Sequence, residues 1–540
     1  MNRLRKILAC AIAAAAVLPP ATSTAAPAIL VATPTAAPAV LVATPTAAPT
    51  AAPAATAAAP AAPIAPALAI VVVDQAALRA APRDSALQQA ALWQGEVVEV
   101  RGERIDYLQV WDHQRERGGF VRASQVRRTG TDSADAPALM SVLRFVRDSA
   151  GSEALGIGLA AAWLKAAPTE IVKGAAGAEA LDALGGFAER LARRASSSAG
   201  ASRAAEAALG AHLEVARRYG LNFHSFERDG RMQICYDGDA FARLLGINPT
   251  PEQGARAVLA LTRGECLDPA LTAHERARRD QWRATLLERI DANSLPSHMK
   301  NQVLMRRASV WSGLAYQRAR RGEAALLAGQ RALRDLAGIV RSELSDDDQV
   351  TFNDTAMRVN ASRWAALPVS AAATSDPQAP RIVTRAGAPG ETCVMLLAAG
   401  DAARTQRAPL AERCTYGLVW PASVSVNREG NALTLAVQPL DSWRELWVFR
   451  KGTEGWSIGV LPPAAVSPEA GYAEFAGWVP GGSQLLVARE ARGDGKYRRS
   501  FEVVRIESLA SERQSGDPAL LGPFQRWPDA LWKRHSVSLR

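Results

Sequence analysis

Between Pro137 and about Leu367 apolar residues recur every three to four positions; on either side, short apolar runs bounded by turn residues take over. This change of period constrains the fold more than anything else in the chain. Leu139, Val142, Leu143 and Val146 fall at i, i+3, i+4 and i+7, the spacing that gives a helix one apolar face. Trp282, Leu286 and Ile290 line a second such face, and Leu333, Leu336, Val340 and Leu344 a third. Thr250-Pro251-Glu252-Gln253 reads as an N-cap, a first-turn proline and a capping-box partner. Ser345-Asp346-Asp347-Asp348 opens a helix with acids at its positive end. The expectation for residues 137–368 is an irregular all-α bundle of about eight or nine helices. One β-hairpin interrupts it at 223–236: Phe223 to Arg228, a two-residue Asp229-Gly230 turn, then Arg231 to Tyr236. With 540 residues the chain has room for about two or three domains.

Strand-like runs follow the loop from Ser370 to Pro380: Thr392 to Ala398, Leu418 to Val426, Ala432 to Val437, Leu446 to Arg450, Gln484 to Arg489 and Phe501 to Ile506. Seven of the 13 Trp lie between Trp420 and Trp532. Residues 381–540 therefore read as an antiparallel β domain. Asn427-Arg428-Glu429-Gly430-Asn431-Ala432-Leu433 and Val479-Pro480-Gly481-Gly482-Ser483-Gln484-Leu485 resemble the turns of exported TolB-type β-propellers. Trp443-Arg444-Glu445-Leu446-Trp447-Val448 resembles their blade strand. The region is long enough for about three blades at most, fewer than propellers usually have, so propeller-like hairpins are expected rather than a full propeller.

Ahead of the helices, Leu78-Arg79-Ala80-Ala81-Pro82, the alternating Leu92 to Val100 with Gly95 at its turn, Tyr107-Leu108-Gln109-Val110, and Gly119-Phe120-Val121 through Val126 occur in order. Together, from about Val72 to Arg128, they resemble the bacterial SH3-like (SH3b) family. The resemblance implies a small β-barrel over residues 70–128 that binds peptidoglycan, a peptide or a neighbouring domain without catalysing anything. Trp93, Tyr107, Trp111 and Phe120 are its candidate ligand groove. The charged loop Asp112 to Gly118 departs from the family's short glycine-rich turn.

The chain opens with Arg3, Arg5 and Lys6, an apolar stretch from Ile7 to Leu18, and small residues through Ala26. That is the plan of a signal peptide over residues 1–25, too short to span a bilayer. Cys10 sits inside the apolar run, which leaves lipoprotein processing as a second reading of the same leader. Residues 26–69 form an Ala/Pro-rich segment with a tandem duplication; repeated prolines favour an extended tether or a disordered tail. Past the leader four cysteines remain, Cys235, Cys266, Cys393 and Cys414. An even count in an exported chain points to disulfides. Sequence allows three pairings, and proximity favours Cys235–Cys266 and Cys393–Cys414.

The formal charge is +10, but only 7 of the 63 basic residues are Lys and the Arg are spread along the chain, so no nucleic-acid-binding block emerges. Gly156-Ile157-Gly158 lies in helical sequence with no strand before it and does not read as a dinucleotide loop. Ser297-His298-Met299-Lys300 lacks the companion elements of penicillin-recognising enzymes. The six His are scattered, and Asp237 with Asp239 reads as a helix cap before it reads as a glycosidic pair. No catalytic, cofactor or metal residue is assigned, and no transmembrane segment. The sequence points to a periplasmic or secreted non-enzymatic binding and scaffold protein of a bacterial envelope. Its partner would be peptidoglycan or an envelope protein. The alternative is a peptidoglycan hydrolase with the SH3-like module as its targeting domain.

Overall fold

The computed structural model describes residues 67–197, 202–368, 379–398, 408–465, 469–493 and 495–535. The leader, Cys10 and nearly all of the Ala/Pro-rich segment lie outside them. Strands β1 (Leu68–Val71), β2 (Ala76–Arg79), β3 (Gln88–Leu92), β4 (Val97–Arg104), β5 (Tyr107–Asp112), β6 (Arg117–Arg122) and β7 (Val126–Thr129) come first. They form one antiparallel sheet in the order β3-β2-β6-β5-β4-β1-β7. Among the described residues this path is open, with β3 and β7 at its ends. β1 takes up Leu68 and Ala69, the last residues read as tether, because β4 and β7 pair with both of its edges. Leu78, Leu92, Val98, Leu108, Val110 and Val121 fill the core beneath the sheet.

The helical region holds α1 (Ala136–Val146), α2 (Glu153–Ala166), α3 (Thr169–Val172), α4 (Ala175–Ser196) and α5 (Arg203–Arg218). The hairpin β8 (Phe223–Arg228) and β9 (Arg231–Tyr236) follows, then α6 (Asp239–Leu244), α7 (Pro251–Leu261), α8 (Ala273–Glu288), α9 (Ser297–Arg320), α10 (Leu326–Ala337) and α11 (Asp346–Ala361). A 3-10 turn at Arg363–Ala366 closes the region. The count exceeds the expectation because α3 and α6 are too short to display a period. Local signals act where they were read. Thr250 Oγ1 accepts from the Gln253 N–H while Gln253 Oε1 accepts from the Thr250 N–H. Ser345 caps α11. Asp229 and Gly230 both take positive φ, 53° and 71°, as a tight hairpin turn of this hand requires.

The third expected helix is shorter than its pattern. α10 stops at Ala337, and Val340 and Leu344 flank a separate 3-10 turn at Arg341–Glu343. Asn301 of α9, buried, accepts from the Val340 N–H at 3.1 Å and donates to its carbonyl at 3.2 Å. That clamp takes both backbone groups a longer helix would have used. Elsewhere close packing sets the geometry: a Cβ on Gly156 of α2 would lie 2.2 Å from the Phe187 ring of α4.

The last region has two sheets. β10 (Arg381–Ala386), β11 (Thr392–Leu397) and β12 (Ala411–Thr415) make a three-stranded one. β13 (Leu418–Val426), β14 (Ala432–Leu440), β15 (Trp443–Gly452), β16 (Gly455–Leu461), β17 (Ala470–Val479), β18 (Gln484–Gly493), β19 (Lys496–Arg505) and β20 (Ser511–Ser515) make an eight-stranded one. Two short helices, α12 (Gly522–Arg526) and α13 (Ala530–His535), follow. The expectation of a purely antiparallel domain is corrected here, because β15 and β17 run parallel through Trp443↔Gly471 and Arg444↔Tyr472. β16 occupies the same edge of β15 from Leu446 onward, so β17 can join only at the free end.

A buried ionic cluster joins α11 and the 3-10 turn to this sheet. Glu474 of β17 accepts from Arg363 at 2.7 and 3.0 Å and from Arg444 of β15. Arg444 also donates to the Asn360 carbonyl at 2.7 Å. All three charged side chains are at most 2% exposed.

Candidate functional site

Two features qualify. The first is the outer face of the N-terminal sheet. Side chains alternate along β5, so Leu108 and Val110 enter the core while Tyr107, Gln109 and Trp111 point the other way. The register Gln109↔Phe120 sets Phe120 of β6 on that same face, and Trp111↔Gly118 places a glycine opposite the indole. A Cβ at Gly118 would lie 3.2 Å from Trp111 Cε3. The Arg101 guanidinium stands 4.5 Å from the Trp111 ring centroid, a cation–π contact. Trp111 and Phe120 are half-buried.

The other two groove candidates sit differently. Tyr107 is buried, its hydroxyl donating to Asp84 Oδ1 at 2.6 Å with Arg122 above the ring. That hydrogen bond pushes the Tyr107 hydroxyl up, and the bonds from Arg122 and Tyr107 hold the Asp84 carboxyl down. Trp93 meets His212 of α5 edge-on at 6.3 Å. It belongs to the seam with the helices, where the Tyr219 hydroxyl donates to the Gly95 carbonyl at 2.7 Å. Glu96 there receives Arg218 at 2.9 Å and Arg115 at 3.0 Å. The charged loop 112–118 thus turns its Arg115 inward to a buried carboxylate.

The second feature went unnoticed in the sequence: a cavity of about 1090 Å³ in the helical region, walled by α4, α7, α8, α9 and α11. Its wall is built of arginines and carboxylates. Asp182 of α4 holds Arg147 at 2.5 Å and Arg256 of α7 at 2.7 Å. Glu189 holds Arg193 at 3.0 Å and also Arg263. Arg263 reaches Glu265 at 3.0 Å. Asp280 of α8 holds Arg283 at 2.7 Å, whose other N–H groups donate to the Thr262 carbonyl at 2.6 and 2.9 Å. Burial pushes the Glu265 carboxyl up, but Arg263 and Arg306 outweigh it and hold it at about 2. Such a wall can bind a charged, polar ligand. No local pattern announces it, because its arginines come from several elements far apart in sequence; the spread of Arg along the chain is its trace.

The remaining candidates resolve simply. Cys235 and Cys266 are at bonding distance, and so are Cys393 and Cys414. Glu391 joins the second pair in the one grouping close enough to hold a metal among the described residues, but its two sulfurs are bonded to each other. Ser297 is the first residue of α9, and Lys300 donates to Asn293 at 3.2 Å. Asp237 pairs with His224 at 2.6 Å. No helix among the described residues is long and apolar enough to cross a membrane. No family model, curated protein or solved structure matches this chain.

Proposed function

We propose that the chain is an exported, non-enzymatic binding and scaffold protein of a bacterial cell envelope, periplasmic or secreted. In this reading the N-terminal sheet is an SH3-like module that binds peptidoglycan or an envelope protein. The observation that carries it is that Trp111 and Phe120, half-buried on adjacent strands, share the outer face of that sheet while their neighbours fill its core. Aromatic side chains with a cation beside them suit glycan rings and peptide side chains alike. The two cysteine pairs at bonding distance support an oxidising compartment. The bonds from Gly95 and Glu96 to α5 and its C-terminal turn support a module held on a scaffold, with the propeller-like hairpins of the last region as further surface.

The test is retention of the full chain on purified peptidoglycan. Trp111→Ala with Phe120→Ala should lower retention at least about tenfold at unchanged melting temperature, since interface aromatics carry much of the binding energy. Equal retention of wild type and variant would reject the aromatic face as the binding surface. Clearing of peptidoglycan by the purified chain would favour the hydrolase instead.

A further inference from the structure

We propose that the cavity in the helical region is a binding site for the carboxylate of a small polar ligand, and that Arg306 receives it. Arg306 lies on the cavity face of α9. Among the described residues its guanidinium makes one hydrogen bond, Nη1 to the Leu259 carbonyl at 3.3 Å, and no salt bridge. Its neighbours are all engaged. Arg193 and Arg263 share Glu189, Arg263 also takes Glu265, and Arg283 takes Asp280 and the Thr262 carbonyl. Of these four guanidinium groups Arg306 is the one with no salt bridge among the described residues, on a wall whose ten arginines and ten carboxylates otherwise balance.

Burial pushes the Arg306 guanidinium down to about 10; Glu265 offsets part of this, while Arg283, Arg263 and Arg193 add to it. At neutral pH it is still charged. Its remaining N–H donors form a fork on the cavity wall, the shape that matches a carboxylate edge.

Two glycines point to the same space independently. Gly186 of α4 and Gly313 of α9 both line the cavity, and a Cβ built on either meets nothing within 4 Å. Glycine inside a helix weakens it relative to alanine. At two other bundle glycines packing explains it, since a Cβ on Gly185 would strike the Phe241 ring at 2.5 Å and one on Gly156 the Phe187 ring; Gly210 of α5, off the cavity, is open in the same way. No such contact accounts for Gly186 or Gly313. What they preserve is room. The cavity is far larger than one carboxylate, and Asp348 and Thr351 on its wall suit amine or hydroxyl groups of the same ligand.

The test is calorimetric titration of the full chain with N-acetyl-Ala-Ala, with its C-terminal amide, and with inorganic phosphate. The free acid should bind at least about tenfold more tightly than the amide and more tightly than phosphate. Arg306→Gln should cost at least about tenfold in affinity for the acid, with the ligand-free melting temperature unchanged or raised. A purely structural arginine would instead lower that temperature. Gly313→Leu fills the space from a position whose Cβ meets nothing within 4 Å, and should abolish binding in a folded chain; it decides the matter if Arg306→Gln does not fold. Failure of the acid to bind, equal binding of the amide, tighter binding of phosphate, or full affinity in either variant would overturn the proposal. None of these readouts depends on Trp111 or Phe120, so peptidoglycan retention stands or falls separately.

Discussion

Glu474→Gln isolates the charge that holds the helical region to the C-terminal sheet. In the wild type the Glu474 carboxylate accepts three guanidinium N–H groups, two from Arg363 and one from Arg444. Glutamine keeps the volume and one acceptor oxygen, but it turns an NH2 donor toward a guanidinium donor and removes the negative charge that both arginines share. Both arginines remain at most 2% exposed. Breaking a buried pair this way costs about 3–5 kcal/mol, because the stranded charge stays desolvated. Urea unfolding followed by tryptophan fluorescence reads the loss, since Trp443 lies beside Arg444 in β15. Replacing Arg363, Arg444 and Glu474 together by methionine should be neutral or stabilise by about 1–4 kcal/mol. A Glu474→Gln variant within about 0.5 kcal/mol of wild type would refute the reasoning.

The same cluster predicts acid sensitivity. Burial pushes the Glu474 carboxyl up, but Arg363 and Arg444 outweigh it and hold it below its ordinary value. The folded value is therefore lower than the unfolded value of about 4.3. The pair's contribution is complete above the unfolded value and is lost as pH falls through the folded one. Wild-type stability should drop below about pH 4, and the Glu474→Gln variant should show a shallower drop.

Gly95→Ala should loosen the N-terminal sheet from α2, because Gly95 has φ +86° and its Cβ would lie 2.2 Å from the Ala154 carbonyl oxygen. The expected loss is more than about 1 kcal/mol, with faster amide exchange in β1 and β4 as the readout. Cys235→Ser should cost about 3–4 kcal/mol in urea unfolding without reductant, since the bond closes a loop with a sequence separation of 31; reductant should destabilise wild type and variant further by opening Cys393–Cys414. Tyr236→Phe removes the acceptor for the Ala240 N–H at 2.7 Å and should cost about 1–3 kcal/mol, read by thermal unfolding.

What could be read along the chain is what neighbours in sequence settle among themselves. The Asp229-Gly230 turn, the Thr250–Gln253 capping box and the buried face Leu139, Leu143 and Val146 of α1 depend on residues a few positions apart. Their torsions and hydrogen bonds close within one or two turns of backbone. Cysteine proximity worked for the same reason, with Cys393 directly across from Cys414 on adjacent strands. The short strands β10, β12 and β20 escaped the pattern because a strand acquires its hydrogen bonds from a partner and their own residues carry little apolar alternation; β16, with Trp456, Ile458 and Val460 alternating, and the longer β17 are not among the expected runs either.

Tertiary structure decided the rest. Asn301, remote in sequence, clamps the backbone of Val340 beyond the end of α10. β16 claims most of one edge of β15 and leaves β17 only the free end, where the two run parallel. Trp93 and Tyr107 looked like groove residues beside Trp111 and Phe120, yet one packs on α5 and the other lies beneath Arg122. The arginines of the cavity become neighbours only when helices that are far apart in sequence converge. Backbone preference is a local quantity that composition and spacing carry; desolvation and charge pairing depend on which distant groups arrive at the same place, and only the packed chain supplies those coordinates.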